Sequence, residues 1–423
     1  MWIKGARILD PENRIDSPGD VHVSQGRIAG VYPGGSSESD SESIDARGKW
    51  VLPGLIDMHT HLREPGFEYK EDISSGSLAA AAGGVTTVVC MANTDPVNDN
   101  PSVTKYIVEK ARTVALVRVL PVGAVSRGLK GKELSEMGLM KQAGIIAVSD
   151  DGQPVEDSSL MRRALEYAST FGLSLISHCQ DRALSASGVM NEGGLSTRLG
   201  LPGIPSVSEE IMVSRDILLS KITGIPIHIT HVSSQTSLEL IASAKEQGIQ
   251  VTCDVTPHHL LLTEEQVMTY DTNTKMYPPL RTETDRRALL GGLKDGVIDC
   301  IASDHAPHAR DEKNLDFDTA PFGIIGLQTL LPALLKIHSE YAIDIVQLLA
   351  AVTCNPARIL GIDGGTLSQG SRADITIVDP DAEWVFTEDS IRSKSQNSPF
   401  IGQRFTGKVI QTIVEGRVVF RET

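Results

Sequence analysis

The 423-residue chain is 40 % hydrophobic and 22 % charged, an ordinary globular balance with length enough for one large domain and a smaller one. Its net charge of −15, with no lysine-rich run, argues against nucleic acid and anionic membrane as partners, so an anionic substrate would need a locally positive site. Five scattered cysteines (Cys90, Cys179, Cys253, Cys300, Cys354) form no CxxC pair and read as reduced thiols. MWIKGARILD has no signal-peptide core, and no apolar run nears the roughly 18 residues of a membrane span, so a soluble cytoplasmic protein is expected.

Near the N-terminus, DVHVSQGRIAGV reads as two strands joined by a tight turn, with glycine supplying the positive φ. The SSESDSES stretch, Ser36 to Ser43, reads as a solvated, loosely held loop. From Val51 to Asp304 come eight short apolar strands: VLPGLIDMH, GVTTVVCMANT, LVRVLPVGA, GIIAVSDDG, LSLISHC, IPIHITHVSS, IQVTCDVTP and VIDCIASDHAP. Helical stretches such as SLMRRALEYASTFG and SLELIASAKEQG separate several of them. Apolar strands alternating with helices indicate a parallel sheet covered on both faces, and eight units over about 250 residues fit a (β/α)8 TIM-type barrel. A doubly wound open sheet is the alternative, but no GxGxxG turn follows any of the strands. At the C-terminus, RADITIVDP and QTIVEGRVVF are again alternating strands. The expected fold is therefore α/β, with a small discontinuous β-sandwich built from residues 1–49 and 362–423 around a barrel of residues 50–361.

The strand ends carry the chemistry. The first ends in His59 and His61, the fourth in Asp150 and Asp151, the fifth in His178, the sixth in His231 and the eighth in Asp304. Strand side chains alternate faces, so His59 and His61 point the same way. The C-terminal strand ends form the catalytic face of a barrel. A lone histidine there is more often structural; four imidazoles with one or two carboxylates predict a divalent metal site, zinc first. His22, His228, His258 and His259 are left as structural histidines, or for the last pair as supports behind the ligands. Arg63, Asn93 and His308 add a guanidinium, an amide and an imidazole able to hold a carboxylate.

The sequence resembles the dihydroorotases of the amidohydrolase superfamily essentially end to end. DMHTHLREP matches the family's first signature except for Thr60 in place of an aliphatic residue, and ASDHAPHARDEK matches the second throughout. SDDGQPV, SHCQD, THVSS, VTPHHL, PPLR, PFGIIGLQT, TCNPARILG and SPFIGQRFTGKV resemble further family blocks. The resemblance implies His59, His61 and Asp304 as ligands of one metal, His178 and His231 as ligands of a second, and Asp151 as the bridge. Relatives such as hydantoinases and allantoinases use a carboxylated lysine there; GIIAVSDDGQPV contains none, which places the chain with the bacterial dihydroorotases that use aspartate. Arg63, Asn93 and His308 would take the substrate carboxylate, and Pro321, Phe322 and Gly323 would contact the ring through backbone groups. Tyr277 departs from the pattern, standing where the family has an asparagine that contacts the ring. A phenol offers no paired donor and acceptor.

The implied reaction is reversible closure of N-carbamoyl-L-aspartate to L-dihydroorotate in pyrimidine biosynthesis, with one or two Zn2+ per subunit and Asp304 as general base and acid. A loop from Ala306 to Gly323 is expected over the site. A homodimer is the expected assembly, with a complex with aspartate transcarbamoylase open. Competing readings are a hydrolase of another cyclic ureide or imide, marked by Tyr277, and a non-catalytic homologue that scaffolds the transcarbamoylase. The second would be expected to have lost ligands, and none is lost here.

Overall fold

A computed structural model describes residues 1–37 and 43–422. Most of the Ser36–Ser43 stretch therefore lies outside the described residues. All eight expected strands form one parallel sheet, in chain order: Leu55–Thr60, Val85–Cys90, Arg118–Gly123, Ala147–Val148, Ser174–Ser177, Ile227–Ile229, Val251–Val255 and Cys300–Ile301. The ring closes where Thr60 bridges His305 in parallel and the His61 amide donates to the His305 carbonyl at 2.8 Å. That closure is what separates a barrel from an open sheet.

Helices cross between successive strands, among them Pro101–Val114, Ser158–Thr170, Val207–Thr223 and Gln235–Glu246. Side-chain caps start several of them: Asn100, Asp157 and Ser234 each accept from amides of the first turn. Leu160, Met161, Ala164, Leu165 and Ala168 lie at helical spacing and bury one face of Ser158–Thr170 on the strands. Inside the ring, Met58, Val89, Val122, Ala147, Ile176 and Cys300 form a closed apolar plug. The strand ends beyond it are polar.

The terminal segments build a second eight-stranded sheet. Its two expected hairpins are present: Ile15–Ser24 with Arg27–Pro33, and Arg404–Val414 with Arg417–Arg421. Each turns through two residues of positive φ, Gln25–Gly26 at 51° and 74° and Glu415–Gly416 at 48° and 74°, the twist that two-residue hairpins require. The sheet is not wholly antiparallel. Trp2–Asp10 pairs in parallel with Ser43–Asp45 and with Trp50–Pro53. It also bends back on itself, because Arg27 bridges Arg372, and Ile3, Ile8, Val21, Ile375, Ile377 and Ile413 fill the fold.

Candidate active site

Asp151 is the centre of the site. Its Oδ1 lies 3.4 Å from His59 Nε2, 3.3 Å from His178 Nδ1 and 3.4 Å from His231 Nε2, and its Oδ2 lies 3.4 Å from His61 Nε2. His59, His61 and Asp151 form one group able to hold a metal ion, and Asp151, His178 and His231 form another. Asp304 Oδ1 completes the first side, 3.1 Å from His61 Nε2 and 3.5 Å from His59 Nε2. Asp150, its neighbour, faces away: its carboxylate accepts from the amides of Val125 and Ser126 and from the Ser126 hydroxyl. Both lie just past the strand Ala147–Val148, and the Val125 and Ser126 amides hold Asp150 aside while Asp151 turns to the histidines.

Neighbouring groups set the orientation of the rings. His61 Nδ1 donates to the Asn93 carbonyl oxygen at 2.9 Å, turning Nε2 towards the carboxylates. His59 Nδ1 meets Thr230 Oγ1 at 2.8 Å, and the His231 amide donates to Asp254 at 2.7 Å. His228 pairs with Asp254 and Thr252, as a structural histidine should. His259 bonds Thr256 and the Pro278 carbonyl.

The donors fit a divalent metal. His59 Nε2 is buried with no hydrogen-bond partner among the described residues. Burial alone would lower the His59 pKa, yet Asp151 and Asp304 outweigh it and raise it to about 10. The Asp151 and Asp304 carboxyls, which burial would raise, are instead held below the usual carboxylate range by His59 and its neighbouring imidazoles. A cation is therefore electrostatically favoured among these groups. Imidazole and carboxylate are ligands of zinc type, and no thiol is among them.

A cavity of about 550 Å3 opens above this centre. Arg63, Asn93, His308, Tyr277, Pro321, Phe322 and Gly323 all line it, with His308 packed against Gly323. His61, Asp151, His178 and Asp304 also reach it, while His59 and His231 are buried below. Arg63 is no surface ion pair: its Nε donates to the Pro307 carbonyl at 3.1 Å and its Nη2 to His308 Nε2 at 3.2 Å. Burial lowers its pKa to about 10, which leaves it charged at neutral pH. Burial, with Arg63 and Lys70 beside it, holds the His308 imidazole neutral. Asn93 spends its carbonyl on His61 and leaves its NH2 group with no protein partner among the described residues. The Tyr277 ring stacks on His178 at 5.3 Å, and its hydroxyl lies 3.3 Å from Ser185 Oγ.

Several supporting residues escaped sequence reasoning. Asn397 donates to the carbonyls of Ala306 and Gly323, tying the loop after the eighth strand to the cavity wall. Lys313, the last residue of ASDHAPHARDEK, donates to the carbonyls of Pro321 and Gly323. The signature itself was the available signal for Lys313; Asn397, 89 residues beyond His308, had none. Arg182 and Ser185 line the cavity from the short helix Arg182–Ser185, which no motif marked.

Residues 48–237 match the family described as dihydro-orotase-like, and residues 293–420 the amidohydrolase family. The chain is 52 % identical over 421 residues to the dihydroorotase of Geotalea daltonii, covering 100 % of this chain and 99 % of that protein. The chain belongs to the dihydroorotase family. This family member is an enzyme, a cyclic amidohydrolase, and is also 51 % identical over 424 residues to the dihydroorotase of Acetivibrio thermocellus, at 100 % and 99 % coverage. Among solved structures, the L-hydantoinase (dihydropyrimidinase) of Arthrobacter aurescens has a TM-score of 0.90 at 26 % identity, over 99 % of this chain and 96 % of that one. The dihydropyrimidinase of Brevibacillus agri, at 0.86 and 23 % identity over 99 % and 95 %, shares the fold. The dihydroorotase-family chain thus has a barrel in common with hydantoinases, with Asp151 between its two histidine pairs.

Proposed function

We propose that the protein is a zinc-dependent dihydroorotase that interconverts N-carbamoyl-L-aspartate and L-dihydroorotate in the de novo pathway to UMP. The observation that carries this reading is the pairing, in one cavity, of a carboxylate shared by two histidine pairs with the Arg63–His308 patch. A cyclic amide bearing a carboxylate engages both; a ring without one leaves the Arg63 charge unpaired.

A divalent metal held by His59, His61, Asp151, His178, His231 and Asp304 would supply a lowered water pKa and polarise the carbonyl under attack. In ring opening, Asp304 accepts the proton of the attacking water and passes it to the ring nitrogen as the carbon–nitrogen bond breaks. Its carboxyl, held below the usual range, is ionised and ready to accept. Arg63 and the free Asn93 amide hold the substrate carboxylate and so orient the ring, His308 accepts from Arg63 and fixes its guanidinium there, and the Pro321–Gly323 backbone closes over it. Ring closure uses the same groups in reverse. We take the enzyme as a cytoplasmic homodimer, with an aspartate transcarbamoylase as a further partner to test. No helix among the described residues is long and apolar enough to cross a membrane.

Tyr277, narrowing the cavity against His178 and Phe322, favours one second reading, a hydrolase of rings without the carboxylate. Loss of L-dihydroorotate absorbance, with dihydrouracil, hydantoin and allantoin as competitors, separates the two. Turnover of dihydroorotate alone, abolished by chelation and restored by zinc, is expected; preference for a ring lacking the carboxylate would overturn the assignment.

A further inference from the structure

The helix Val207–Thr223 has two apolar faces. The inner one buries Met212, Val213 and Ile217 on the barrel, where Glu209 accepts from the Ser233 and Ser234 amides. The outer one exposes Val207 (41 %), Ile211 (47 %), Leu218 (56 %) and Ile222 (66 %). At 3.6 residues per turn these four fall within an arc of about 60° and run about 22 Å along the axis. A helix face left in water ordinarily carries charge. No other helix among the described residues carries more than one large hydrophobic side chain so exposed. Such a stripe marks an interaction surface.

We propose that this stripe is the contact face of a homodimer, in which the helix packs antiparallel on its copy from a second subunit about a two-fold axis near Ser214 and Arg215. The spacing is its own mirror. Val207 and Ile211 lie four residues apart, as do Leu218 and Ile222, and both pairs are equidistant from that centre. Antiparallel pairing therefore sets Val207 on Ile222 of the second copy and Ile211 on its Leu218, an isologous contact in which each helix supplies both halves. Ser214, small and at the midpoint, lets the axes approach. Arg215 is turned aside, its guanidinium bonded to Asp216 at 2.8 Å and to the Val155 carbonyl at 2.5 Å.

Charge selects the direction of pairing. By helical geometry Glu210 and Lys221 flank the stripe on the same side. Antiparallel packing brings Glu210 within about two residues of Lys221 of the second copy, twice over by symmetry. A parallel two-fold pair would instead carry the two copies of this flank to opposite sides of the seam, leaving Glu210 and Lys221 unpaired. Neither has an ion-pair partner among the described residues; Lys221 reaches only Gln247, at 3.4 Å.

The test is sedimentation of the metal-replete full chain at micromolar concentration, with two sets of variants. The wild type should be dimeric, and the double variant Ile211→Asp, Leu218→Asp should raise the dimer dissociation constant by about 100-fold or more. Both positions are solvent-facing in the single chain, so circular dichroism should be unchanged, and the variant's melting should lose only the concentration-dependent part that association supplies. All five native cysteines are buried, so Ser214→Cys introduces the accessible thiol of the chain. It should form a disulfide-linked dimer on mild oxidation, and Thr113→Cys, on another helix, should not. A monomeric wild type, a dimer that survives the double substitution, or Ser214→Cys left uncrosslinked while the protein is dimeric would each overturn the proposal.

Discussion

Arg63, His231 and Asp304 share a backbone peculiarity, with φ of 60°, 42° and 46°. Non-glycine residues seldom adopt this left-handed region, and they persist there when packing over-determines them. Here the reversal swings three site side chains inward just where their strands end. Asp304 is proposed to carry the proton, so Asp304→Asn should cut kcat for dihydroorotate by about 10³-fold, the scale of a lost acid–base group. Steady-state rates normalised to bound metal would check it, and near-normal turnover would end the acid–base assignment. Arg63 touches the cavity away from the metal centre. Arg63→Ala should therefore raise KM by about 10- to 100-fold, the loss of a charge-assisted contact, and move kcat far less. An unchanged KM would place the substrate carboxylate elsewhere.

At the scale of elements, the cavity wall is a loop held by two ammonium groups. Lys313 donates to the carbonyls of Pro321 and Gly323, and Lys275 to those of Phe317 and Asp318 at 2.7 and 3.0 Å. Burial, then Lys275 close by, lowers Lys313 from 10.5 to about 7 against the opposing pull of Asp271 and Glu312. The sign follows from proton counts. Below pH 7 folded and unfolded chains both hold the proton and the fold bears the whole desolvation cost; between 7 and 10.5 the unfolded chain binds more, so stability from this site rises with pH. Lys313→Met removes the titration. Urea midpoints of wild type and variant should diverge in favour of the wild type from pH 7 to about 9, and the variant's KM should rise more than its kcat falls. A pH-independent difference would show that Lys313 titrates as in water.

At the scale of the whole molecule, the barrel and the terminal sheet are joined by the same backbone that supports the site. Thr376 and Thr412 hydroxyls in the sheet donate to the Gly84 and Ala81 carbonyls at the foot of the second barrel strand. From the loop between two sheet strands, Asn397 reaches the cavity wall and Ser393 bonds the buried Glu71. Buried carboxylates and imidazoles from five strand ends converge where a cation would neutralise them. Chelation should therefore lower Tm by several degrees as well as abolish activity, since a ligand bound only by the folded state stabilises it. Calorimetry with and without chelator, followed by zinc, would check this; an unchanged Tm with lost activity would mean the centre contributes no folding energy.

Much of this was legible in one dimension because its period is short. Eight apolar runs, two Gly-turn hairpins and the i, i+2 histidines of DMHTH depend on strand alternation and turn chemistry, which neighbouring residues settle between themselves. The donor types were equally plain, since imidazole and carboxylate carry their chemistry wherever they lie. Three matters were left to the tertiary structure. Ring closure, Thr60 to His305, joins residues 245 apart and depends on accumulated strand tilt rather than on any local signal. The choice of Asp151 over Asp150 to face the histidine pairs rests on where Val125 and Ser126 offer their amides. The roles of Asn397 and Lys313 arise because chain segments distant in sequence meet behind one wall, and sequence distance carries no record of that meeting.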